Sequence, residues 1–110
     1  MRLPNAGRAV VDIVKLRDYC LNVDHPRGRH KARLFAAALG ITAEDAGELR
    51  ELFLLGIGSH EAIPGVNDAY GERYTIDMPV ARLGRKAVVR TAWIVKSSED
   101  FPRPTSCFVL

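Results

Sequence analysis

The stretch 70-YGERYTIDMPVARLGRKAVVRTAWIV-95 decides the fold. Upstream of about Gly58 the apolar residues recur at helical spacing, and here they alternate. Tyr74, Ile76, Met78 and Val80 fall on one side and Thr75, Asp77 and Pro79 on the other. A period of two marks a strand with one buried face. The segment 83-LGR-85 is a turn signal,. The β-branched run KAVVRTAWIV follows as a second strand. Ala87, Val89, Thr91, Trp93 and Val95 share one of its faces, and Val88, Arg90, Ala92 and Ile94 the other,.

Beyond it, SSEDFPRP is expected to be a loop and TSCFVL a final strand. The segment 61-EAIPGV-66 adds a frayed edge strand, since proline is tolerated there,. Before the switch, residues 12–21 predict a short helix with Asp12 as N-cap and Ile13, Leu16 and Cys20 on one side,. Residues 22–29 hold Pro26 and Gly28 and form a loop,. HKARLFAAALG predicts a second helix, with an apolar stripe of Leu34, Phe35, Ala38 and Leu39 and Gly40 as its terminator,. Thr42 and Asp45 suggest a capping box for a third helix over about 43–57, striped by Ala46, Leu49, Leu52, Phe53 and Ile57,. Helices followed by antiparallel strands define an α+β domain. The expectation is about three N-terminal helices packed on a C-terminal antiparallel sheet of three to four strands, all in one domain over residues 1–110.

A net charge of +3 permits an anionic partner without demanding one,. No apolar run approaches the roughly 18–20 residues of a membrane span, and the N-terminus lacks a signal-peptide pattern. Cys20 and Cys107 form no CxxC motif. A cytoplasmic, reducing setting with two free thiols and no membrane partner is therefore expected, with a disulfide left open.

Positive charge gathers in 24-DHPRGRHKAR-33, where His25, Arg27, Arg29, His30, Lys31 and Arg33 run from a Pro/Gly loop into the second helix. The first turn of a helix carries unpaired N–H groups and the positive end of the dipole, so it favours acidic residues. Bases placed there suit an incoming anion such as phosphate. The bland alternative is a solvated loop whose charges serve solubility. His30 matters most, because imidazole exchanges protons near neutrality; His25 and His60 have less support.

Known site patterns are missing. No His/Cys/Asp/Glu set has zinc spacing, and no P-loop, dinucleotide-binding glycine motif or GxSxG elbow is present,. No metal and no cofactor is expected. In the second strand, Arg90 is a charge among apolar residues and needs a partner: a carboxylate such as Asp77 or Glu72, or a substrate phosphate,. Tyr74 and Trp93 are core aromatics or surfaces for stacking bases.

The segments Leu16-Arg-Asp-Tyr-Cys-Leu-Asn22, His25-Pro-x-Gly-Arg-His-Lys-Ala32 with Phe35 and Leu39-Gly40, Tyr70-Gly-x-x-Tyr74, Val89-Arg-Thr-Ala-Trp-Ile94 and Asp100-Phe-Pro-Arg103 resemble a bacterial family of uncharacterised domains with toxin-like members. The likeness covers nearly the whole chain. In its order of helices and strands, that family also looks like the barnase–EndoU–colicin–RelE group of ribonuclease toxins. The looser likeness implies RNA as a substrate and a cognate immunity or antitoxin protein as a partner, but it transfers no catalytic residue.

On this basis the first expectation is a toxin-like, metal-independent endoribonuclease. His30 would transfer the proton, and Lys31 and Arg90 would stabilise the phosphorane. Arg27, Arg29, Arg33 and Tyr74 would bind substrate. The alternative is a non-catalytic module that binds protein or nucleic acid through the same basic surface.

Overall fold

A computed structural model describes residues 1–110. Three helices precede a four-stranded antiparallel sheet of order β1-β2-β3-β4. The first helix, α1 (Ile13–Lys15), continues directly into a π-helical turn over Leu16–Cys20. It is followed by α2 (Arg29–Leu39) and α3 (Ala46–Gly56). The strands are β1 (Ala62–Pro64), β2 (Gly71–Arg82), β3 (Arg85–Lys96) and β4 (Pro102–Val109).

Local signals set most boundaries. Asp12 accepts a bond from the Val14 N–H and starts α1. Gly40, in the left-handed region at φ 65°, closes α2 while Ile41 N–H bonds back to the Phe35 carbonyl,. Thr42 and Asp45 form the reciprocal capping box, which opens a 3₁₀ turn leading into α3,. Leu83 and Gly84 both have positive φ, 51° and 77°, and make the two-residue hairpin that pairs Arg82 with Arg85. Such a turn matches the twist of its strands, but asks an unusual conformation of a leucine.

The alternation seen in the sequence is the alternation of the sheet. Tyr74, Ile76, Met78 and Val80 of β2 meet Val89, Thr91 and Trp93 of β3 and Cys107 and Val109 of β4 on one buried face. Phe35 and Leu39 of α2 and Leu49 and Phe53 of α3 complete that core. Inside it, the Trp93 Nε1–H donates to Thr91 Oγ1 at 2.7 Å, and that hydroxyl donates to the Ile76 carbonyl at 2.8 Å. The one buried polar side chain is thus satisfied on both sides,.

Three details depart from expectation. Ile13 is exposed; Leu16 and Cys20 point inward without it, because the π turn, closed by Leu21 N–H to the Leu16 carbonyl, changes the angular step,. Leu34 is half-exposed and Ala32 takes its place in the α2 core stripe. Finally, β4 begins at Pro102, inside the segment expected to be a loop. It is an edge strand, and the Pro102 carbonyl faces away from β3, where it accepts the Val10 N–H. Pro104, two residues on, shares that outward orientation, so neither proline removes a ladder donor. A register shift opposite Ala92 and Trp93 then returns the strand to Cys107,.

Candidate functional site

The basic segment is a rigidly held loop. His25 Nδ1 accepts the N–H groups of Arg27 and Gly28, at 3.0 and 3.1 Å. Its ring stands edge-on against Tyr19, with centroids 4.5 Å apart. Gly28 lies so close to the π turn that a Cβ there would come within 2.3 Å of the Tyr19 carbonyl oxygen. The His-Pro-x-Gly sequence is therefore a clamp that fixes where α2 starts. This role of His25 lay hidden because its partner ring is on another element.

From that start the helix presents its charges in different directions. Ala32, Phe35 and Leu39 mark the core side of α2. His30 precedes Ala32 by two residues, about 200° around the helix, and projects into solvent,. Arg27, Arg29 and Arg33 are also exposed, with Arg29 and Arg33 one turn apart on the same flank,. Lys31 leaves from the opposite flank. Its ammonium lies 5.2 Å from the centroid of Phe108, a residue of the open sheet face,.

Electrically, this end of α2 is uncompensated. Gly28 is the N-cap and offers no side-chain acceptor, and the first turn contains no acidic residue. The N–H groups of His30 and Lys31 find no acceptor in the chain. None of Arg27, Arg29, Lys31 or Arg33 enters an ion pair, whereas Arg8, Arg17, Arg50, Arg73, Arg82, Arg90 and Arg103 all do. The far end of the same helix shows the ordinary arrangement. Arg82 donates to the Leu39 and Gly40 carbonyls, and Arg85 to those of Ala36 and Ala37, where the dipole welcomes cations.

The remaining candidates sit elsewhere. Arg90 lies on the sheet face away from the helices and donates two bonds to Asp77, so of its two possible roles the structure displays the carboxylate pairing. His30 and Arg90 open on different sides of the molecule; only Lys31 approaches Arg90, through Phe108, its cross-strand neighbour. Tyr74, expected to face a substrate, is instead a core residue at 8% exposure, its hydroxyl donating to Glu72. Burial of that ring leaves no face for a base to stack on.

A second feature lies between the π turn and the edge strand. A cavity of about 290 Å³ is bounded by Val10, Leu16, Tyr19 and Cys20 on one side and by Pro104 and Cys107 on the other. Cys20 and Cys107 are free and buried, and both line this cavity. Hydrogen bonding from Cys107, aided by the charge of Lys31, lowers the Cys20 pKa against the opposing effect of burial. The same bond and its own burial hold Cys107 well above the usual thiol value. Their separation in the chain concealed the pair from sequence.

The family profile described as a domain of unknown function, DUF6883, matches residues 2–110. The chain belongs to the DUF6883 family. No curated protein and no solved structure matches it. In this DUF6883 domain, no helix is long and apolar enough to cross a membrane.

Proposed function

We propose that the domain binds RNA through the loop and first turn of α2, with Arg27, Arg29 and Arg33 contacting phosphates and the free N–H groups of His30 and Lys31 completing one phosphate site. The observation that carries this is the set of arginines left without any carboxylate partner at the positive end of a helix. Arginine forks suit phosphate oxygens, and an anion there would satisfy two orphan donors. Arg29 and Arg33, one helical turn apart, repel each other until an anion lies between or along them. The Lys31 ammonium serves mainly to attach α2 to β4, through Phe108.

A toxin-like endoribonuclease is the second reading, favoured by one specific observation: His30 is exposed and unpartnered among these cations. An imidazole so placed could take a proton from a 2′-hydroxyl whose phosphate rests on Arg29 or Arg33. Arg90, already matched by Asp77, has no part in this version. An immunity protein would then need an acidic surface for the same site.

Incubation of the purified domain with labelled single-stranded RNA tests both readings. Binding without cleavage, abolished in Arg29→Ala/Arg33→Ala, supports the binding module. Discrete cleavage that falls about 10²–10⁴-fold in His30→Ala with affinity retained supports the enzyme. Failure to bind RNA, with binding instead to an acidic protein partner, would contradict the RNA assignment.

A further inference from the structure

We propose that Cys20 and Cys107 form a hydroperoxide-reactive dithiol site, with Cys20 as the attacking sulfur and Cys107 as the resolving one. Three independent features meet at this place. The two cysteines meet in one core although one ends the π turn and the other lies in the final strand. Both line a cavity of about 290 Å³, which admits a small molecule to sulfur atoms that are otherwise buried. Lys15 in the cavity wall and Lys31 on the neighbouring helix have no carboxylate partner, whereas Arg103, also in the wall, is held by Glu99, and Asp12 adds a negative charge. The two unpaired lysines favour a thiolate. Cys20 is also the more accessible of the two, at 7% exposure against 1% for Cys107.

The chemistry balances in two steps. The Cys20 thiolate attacks the outer oxygen of a hydroperoxide, the O–O bond breaks, and the departing alkoxide or hydroxide takes a proton from solvent. Cys20 becomes a sulfenic acid, oxidised by two electrons. Cys107 then attacks that sulfur, the S–S bond forms, and hydroxide leaves as water with the proton released by Cys107. An external dithiol restores both thiols by exchange. The sulfurs must close to about 2.05 Å. The bond would tie the start of the chain to its last strand, closing a very long loop and raising the melting temperature by roughly ten degrees or more.

The test treats the reduced wild-type domain with a small excess of tert-butyl hydroperoxide. The expected product has lost two hydrogens by intact mass, yields one cross-linked peptide pair containing Cys20 and Cys107, melts higher, and reverts with dithiothreitol. In Cys107→Ala, a sulfenic-acid trap such as dimedone should label Cys20; in Cys20→Ala it should leave Cys107 unlabelled. Thermal melts confirm that each variant is folded. Should a variant fail to fold, alkylation of the native wild type by iodoacetamide decides alone: labelling of Cys20 well before Cys107 is expected. Equal labelling of the two, or a wild type whose thiols survive peroxide that oxidises a free-cysteine peptide, overturns the proposal.

Discussion

Asp77 receives both N–H arms of Arg90 across the β2–β3 pair, at 2.8 and 2.9 Å. The hydrogen bonds from Arg90 hold the Asp77 carboxyl below the usual carboxylate range despite some burial. A depressed carboxylate contributes stability above its unfolded pKa and loses that contribution as pH falls through the folded value. Asp77→Asn should therefore lower the melting temperature modestly near neutrality, with the difference from wild type closing as pH falls below the carboxylate range. Arg90→Ala should show the same narrowing and leave RNA affinity unchanged. A large loss of affinity in folded Arg90→Ala would restore it to the binding site.

Gly28 is required by contact rather than by its backbone angles. A methyl group there meets the Tyr19 carbonyl, which belongs to the π turn and has little freedom to retreat. Gly28→Ala should cost about 1–3 kcal/mol in urea unfolding, the range of an overpacked site. A cost indistinguishable from zero would mean that the loop is not clamped as described.

The hairpin tip offers a gain instead. Leu83 is 82% exposed and holds φ 51°, a conformation that asparagine tolerates far better,. Leu83→Asn should raise stability by about 1 kcal/mol. A destabilised variant would show that the leucine side chain has a favourable contact at the tip.

The α+β architecture was legible because both periodicities are strong: the residues alternating from Tyr74 to Val80 are the ones that the sheet buries. Gly40 and the Thr42–Asp45 box were legible because caps act within a few residues. The start of β4 was not, since the tolerance of Pro102 and Pro104 depends on which edge of the sheet they face. Nor was the inward turn of Leu16 and Cys20 without Ile13, which follows from a π-helical step rather than from spacing. In the candidate site, the crowd of bases at 25–33 was visible, but their directions were not. Lys31 reaches Phe108, His30 points to solvent, and Arg90 lies on the far face, because long-range packing decides where α2 sits on the sheet. The clamp of His25 on Tyr19 and the pairing of Cys20 with Cys107 depend on the same packing.

The salt dependence of RNA affinity tests the central claim most directly. Each phosphate neutralised by a side chain releases counterions, giving a slope of about −0.7 per contact for single strands in log K against log salt. The wild-type domain should show a steep slope, and Arg27→Ala/Arg29→Ala/Arg33→Ala should flatten it by about two units while the domain melts as before. An unchanged slope in that folded triple variant, or wild-type affinity indifferent to salt, would contradict the account.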